Sequence, residues 1–121
     1  LATSVPLQQT VVLGFSQGAA MAIDVCSGGG SPEAEPLPLA GLIGCSGYPH
    51  PDWQPSALEL PVLLTHGRQD PVVPHGASVE LERLLRQAGA TVELISFDGG
   101  HSIDPDLFGP MRLFVHNCHA S

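Results

Sequence analysis

Val11-Val12-Leu13-Gly14-Phe15-Ser16-Gln17-Gly18 is the stretch whose reading decides the fold. Val11-Val12-Leu13 is a short continuous apolar run, the pattern of a parallel strand covered on both faces. Gln17–Val25 then reads as a helix, rich in alanine, with Met21 and Ile23 for contact. Between them stands Gly14-x-Ser16-x-Gly18, the spacing of a nucleophile elbow: strand, sharp turn, helix, with a serine at the apex. Such a turn strains the backbone of Ser16 so that its hydroxyl projects. Gly14 and Gly18 occupy the positions where a Cβ is expected to crowd the opposite arm. The same geometry aims the backbone N–H of Gln17 at the place where a substrate carbonyl oxygen gains negative charge. A bare elbow spacing also describes an ordinary glycine-rich turn with an exposed serine, so the rest of the chain must supply a base and an acid.

It supplies both, in order. Val62-Leu63-Leu64-Thr65-His66-Gly67, led by Pro61, is a second buried-strand pattern, and it runs into a loop carrying Asp70. Thr91–Phe97 is a third, running into Asp98-Gly99-Gly100-His101. In open α/β sheets the carboxyl ends of the strands are where catalytic groups gather. The chain order Ser16, Asp70, His101 is that of α/β-hydrolases. Ser16 needs a base to take its proton. An imidazole at His101 suits that task, and Asp70 would fix the ring's tautomer and stabilise the imidazolium.

Rival residues read less well. His116 and His119 fall on a closing helix and read as surface residues, whereas His50 and His75 lie in proline-rich loops with no strand leading into them. His66 ends a strand beside the site and reads as a packing or loop-ordering residue. Asp98 and Asp104 flank His101, yet only Asp70 follows the neighbouring strand.

The segments Gly14-Phe15-Ser16-Gln17-Gly18-Ala19, His66-Gly67-Arg68-Gln69-Asp70-Pro71-Val72-Val73-Pro74 and Gly100-His101-Ser102 together resemble the phospholipase/carboxylesterase family. The resemblance runs through essentially the whole chain. It implies an α/β-hydrolase fold with Ser16 as nucleophile, Asp70 as acid and His101 as base, and no metal or organic cofactor. It implies a small-molecule or acyl-ester substrate: a carboxylic ester and, within that class, an acyl thioester or lysophospholipid. Complete members of the family carry a longer amino-terminal half, with a His-Gly-type loop giving a second oxyanion donor. No such segment precedes Ser16 here. The expectation is therefore the carboxyl-terminal half of an esterase, with the amino-terminal strands absent and the elbow strand left as a sheet edge. Loss of one oxyanion donor costs about 100- to 1,000-fold in rate, so little turnover is expected of this chain alone. The alternative is a non-catalytic remnant acting as a binding or structural piece.

A hydrophobic fraction of 43% over 121 residues suits a single domain spanning the chain. A net charge of −8 with four basic residues argues against nucleic acid and anionic membrane surfaces. No segment has the apolar length of a membrane span, and a cytoplasmic location is expected. Cys26, Cys45 and Cys118, odd in number and without metal spacing, read as reduced structural thiols. Ser27–Pro38 is a breaker-rich loop and Leu39–Cys45 another strand. Ser46–Leu60 holds too many prolines for a regular element; as an apolar loop it is a candidate wall for an acyl pocket through Tyr48 and Trp53, with packing down of the loop as the equal alternative for those two rings. Val73 on the acid loop is a further candidate substrate contact. Ser78–Ala88 reads as an amphipathic helix with Leu81, Leu84, Leu85 and Ala88 on one side, a surface Glu82–Arg86 pair and Gly89 as its stop. Met111, Phe114, Val115 and Cys118 give the closing helix the same stripe.

Overall fold

The computed structural model describes residues 6–26, 39–49 and 59–120. Four parallel strands, β1 (Val11–Phe15), β2 (Gly41–Cys45), β3 (Pro61–Gly67) and β4 (Thr91–Phe97), form a sheet in the order in which they occur in the sequence. Helices α1 (Gln17–Cys26), α2 (His75–Gln87) and α3 (Phe108–Ala120) flank it, with short 3₁₀ turns at Leu7–Gln9 and Pro105–Leu107. The fold is α/β with a parallel sheet, as the sequence indicated.

Alternation along the strands divides the core between two faces. Leu42, Val62, Leu64 and Val92 pack against Ile23 and Cys26 of α1 and Leu81 and Leu85 of α2. Ile43, Cys45 and Leu63 point the other way, against Leu107 and Met111, with Phe114 and Val115 of α3 partly covering them. Both faces of β2 and β3 are thus filled, which is why these strands read as unbroken apolar runs. Cys26, Cys45 and Cys118 are buried without disulfides, and burial pushes each thiol pKa up. Among the described residues, β1 has a strand neighbour on one side only, and Leu13 and Phe15 are exposed along it.

Boundaries moved where apolar periodicity is silent. α2 begins at His75, three residues before the expected Ser78, because its first turn, His75-Gly76-Ala77, adds little to the apolar stripe. His75 is therefore a helix residue rather than a loop residue. At the far end the turn closes through Gly89, whose φ of 104° places it in the left-handed region, with Ala90 N–H donating to Leu85 O at 3.1 Å. β1 runs on to Phe15 and β2 starts at Gly41. Pro61 opens β3, the strand position that tolerates a missing N–H.

Candidate active site

Parallel register brings four strand ends to one rim. Phe15 pairs with Cys45, Cys45 with Thr65, and Gly67 with Phe97. The residues that follow, Ser16, Ser46, Arg68–Asp70 and Asp98–His101, therefore leave the sheet on the same side.

Ser16 sits at φ 57°, in the left-handed region, as a strained elbow requires. Its N–H donates to Cys45 O at 2.7 Å, and its carbonyl accepts from Ala19 and Ala20 N–H at 3.0 and 3.2 Å, which starts α1 directly behind the turn. A Cβ on Gly14 would lie 2.7 Å from Ala19 N, so glycine is required there. Gly18 departs from expectation: a Cβ there meets nothing within 4 Å. The crowding is one-sided, because Gly14 faces the backbone of the helix arm while Gly18 faces away from the strand.

The acid loop is held by its own backbone. Asp70 Oδ1 accepts from the N–H groups of Val72 and Val73, each at 2.8 Å, which leaves Oδ2 turned toward His101. Gly67 lets the β4 loop lie against it, since a Cβ at Gly67 would strike the carbonyl oxygens of Gly99 and Gly100. Arg68 N–H donates to Phe97 O at 2.8 Å and Gln69 N–H to Gly99 O at 3.0 Å, joining the acid and histidine loops.

Three side chains from three strand ends then form one hydrogen-bonded row. His101 Nδ1 is 2.7 Å from Asp70 Oδ2, and His101 Nε2 is 2.9 Å from Ser16 Oγ. An ionised carboxylate only accepts, so Nδ1 carries a proton and Nε2 is left to accept from the serine hydroxyl. The carboxylate is fully buried and the imidazole 16% exposed. Burial alone would raise the Asp70 pKa, but the bonds from His101 and from the Val73 and Val72 N–H groups outweigh it, and the net direction is downward. Phe15, the residue before Ser16, brings its ring to a centroid distance of 4.9 Å from that of His101, tilted at 48°.

The rival residues lie elsewhere. Asp98 is exposed and pairs with Arg68 at 3.2 Å. Asp104 caps the 3₁₀ turn by accepting from Asp106 N–H at 2.9 Å. His119 is exposed on α3, its Nε2 2.8 Å from Gln9 O. His66 is completely buried behind Asp70 and touches Val73 O and Ser78 Oγ, which fits a loop-ordering residue.

An open cleft of about 510 Å³ lies beside Ser16, lined by Gln17, Tyr48, Val72, Val73, Pro74 and Ala77. Gln17 is the first residue of α1, where backbone N–H groups have no intrahelical acceptor. Tyr48 and Val73 line the cleft beside the serine, while Trp53 lies outside the described residues. Val72, Pro74 and Ala77 were missed, although the unbroken apolar run Pro71–Pro74 could have signalled a wall. A second cavity of about 250 Å³, between the starts of β3 and β4 and helix α3, is at the opposite edge of the sheet and remote from this chemistry.

The phospholipase/carboxylesterase family model matches residues 1–119. The chain belongs to the phospholipase/carboxylesterase family. Within it, acyl-protein thioesterase 1 of Schizosaccharomyces pombe is 36% identical over 123 residues, covering 95% of this chain and 52% of that protein. Esterase YpfH of Escherichia coli K12 is 33% identical over 96 residues, covering 78% of this chain and 39% of the relative. The crystal structure of esterase PE8 superposes with a TM-score of 0.81 at 31% identity, over 97% of this chain and 54% of that one. This family member spans about half the length of the curated relatives it matches. No helix among its described residues is long and apolar enough to cross a membrane.

Proposed function

We propose that this chain carries the catalytic triad of a serine esterase acting on carboxylic esters, with Ser16 as nucleophile, His101 as general base and acid, and Asp70 as the orienting acid. The observation that carries the reading is the continuous row Ser16 Oγ, His101 Nε2, His101 Nδ1, Asp70 Oδ2, with bonds of 2.9 and 2.7 Å. Ser16 Oγ bonds to the acyl carbon as its proton passes to His101 Nε2. The carbonyl electron pair moves onto oxygen, where the Gln17 N–H at the start of α1 receives it. Collapse of that intermediate breaks the bond to the leaving group, which takes the proton from His101. Water then repeats the sequence on the acyl-enzyme, releasing the acid and restoring Ser16.

The cleft favours an uncharged acyl or alcohol portion. Among the described residues its lining, Val72, Val73, Pro74, Ala77 and Tyr48 beside Ser16 and Gln17, contains no Lys, Arg, Asp or Glu. Acyl thioesters enter as substrates through the relatives named acyl-protein thioesterase 1. The test is labelling with an alkyl fluorophosphonate, which phosphonylates an activated serine without requiring deacylation. The expected result is one adduct, mapped to Ser16 by peptide mass and lost in Ser16→Ala. Ester hydrolysis by Ser16→Ala should fall by up to about a million-fold, the usual scale for losing a triad nucleophile. A folded chain that takes no label overturns the reading.

A further inference from the structure

We propose that His66 is a positioning residue for the acid: it locks Asp70 from behind and fixes the cleft wall at Val73. The proposal rests on the esterase reading and adds a fourth side chain to the working row. His66 is the penultimate residue of β3, so the sheet sets its place, and its ring is 0% exposed. Its Nε2 lies 2.7 Å from Val73 O. A carbonyl only accepts, so Nε2 bears a proton. The same nitrogen is 3.3 Å from Asp70 Oδ2, the oxygen that also receives His101. Two imidazole nitrogens, His101 Nδ1 at 2.7 Å and His66 Nε2 at 3.3 Å, therefore flank one carboxylate oxygen.

The other nitrogen settles the tautomer. His66 Nδ1 is 2.6 Å from Ser78 Oγ, in α2. That hydroxyl also lies 3.4 Å from Gly47 O; with the single ring proton of the neutral tautomer already on Nε2, Nδ1 can only accept, and the one hydroxyl hydrogen goes to it. With Ser78 donating to Nδ1, Nε2–H is held on Val73 O, with Asp70 Oδ2 beside it at 3.3 Å.

The consequence is a closed clamp. Val73 N–H donates to Asp70 Oδ1 while Val73 O receives His66, so the peptide groups on both sides of Val73 are pinned. Val73 lines the cleft beside Ser16. Acid orientation and cleft shape are thus set by one ring. Burying an imidazole where an apolar side chain would fill the volume costs desolvation of two ring nitrogens. Each nitrogen has a partner here, and what the ring supplies beyond packing is the directed N–H.

The experiment separates the directed N–H from packing. His66→Phe keeps a ring and removes the donor, whereas His66→Gln returns an amide N–H near the Nε2 position. Each variant and the wild type are reacted with a graded series of fluorophosphonate concentrations, with near-UV circular dichroism to confirm folding. The maximal labelling rate of His66→Phe should fall about 100-fold, the scale of a 1 Å misplacement, with a smaller rise in the half-saturating probe concentration as the Val73 wall loosens. His66→Gln should recover most of that rate. Should His66→Phe fail to fold, Ser78→Ala, which releases the tautomer and leaves the ring, should lower the maximal rate several-fold. Wild-type rates in His66→Phe, or equal losses in folded Phe and Gln variants, overturn the clamp and leave the esterase reading intact. No labelling of the wild type removes the esterase reading, and the clamp with it.

Discussion

The body of the sheet and its carboxyl rim are built from the same four strands, yet they obey opposite rules. In the body, Leu42, Leu63 and Leu64, with Leu81 and Leu85 packed from α2, are between 0% and 1% exposed, and the first buried polar residue along β3 is Thr65, toward the rim. A few residues on, at the rim, Ser16 and Ser46 both adopt positive φ, at 57° and 53°. His66 and Asp70 are buried there, and the buried Ser46 hydroxyl has no hydrogen-bond partner among the described residues. Strain of this kind costs of order 1–3 kcal/mol per residue and persists only where the surroundings over-determine it. The body over-determines it. Cohesion and chemistry are therefore separable in this molecule, and substitutions in the two regions should show it.

The largest stability effect belongs to the body. Leu64 is 0% exposed, in the cluster that joins β3 to α1 and α2. Leu64→Ala should cost about 2–5 kcal/mol by urea unfolding, through lost burial and the cavity left behind. The fluorophosphonate labelling rate per folded molecule should not change. A rate that drops further than the folded fraction would mean that body and rim are not separable.

A rim substitution should act in the other direction. Ser46→Gly removes both the left-handed strain and the unpartnered hydroxyl. Against that gain stands about 0.5–1 kcal/mol of extra backbone entropy lost by glycine on folding. The net expectation is a stabilisation of about 1 kcal/mol, seen as a higher unfolding midpoint. A lower midpoint would show that the hydroxyl is partnered in the folded molecule.

The body was also the legible half. Val62-Leu63-Leu64 announced a strand because burial on both faces leaves an apolar run, Thr91–Phe97 announced one although Val92 alone of its residues is buried, and Leu81, Leu84 and Leu85 announced a helix by their spacing. At the rim the sequence named Ser16, Asp70 and His101, because a glycine-framed serine and the ends of two strands are local signals. It could not show which glycine of the elbow is sterically required: Gly14 meets Ala19 N, a contact that exists only once α1 has folded back. The partners of His66 were equally hidden. Ser78 lies twelve residues away and Asp70 four, and only the turn from β3 into α2 brings them onto opposite sides of one ring. The start of α2 was misplaced because its first turn faces the rim rather than the apolar core.

That first turn is where rim and body meet, and it carries the smallest expected effect. His75 opens α2, with Nε2 2.6 Å from Ser96 Oγ and its ring edge-on to His66 at 5.7 Å. Burial, then the neighbouring His66 ring and the Arg68 guanidinium, hold its pKa below the ordinary histidine value. Unfolding returns the ring to that ordinary value. Well above it neither state is protonated at this site, and His75 contributes its full stability. As pH falls through the ordinary range, the unfolded chain takes up the proton first, so stability drops; once the folded pKa is passed, both states are protonated and the loss stops. His75→Gln keeps a hydrogen-bonding partner for Ser96 and cannot titrate. Urea unfolding measured from about pH 8 to about pH 5 should therefore show a steeper decline for the wild type than for His75→Gln. Parallel curves would mean that the junction leaves His75 as free to take up a proton as in the unfolded chain, and that rim electrostatics do not reach the helix that anchors the body.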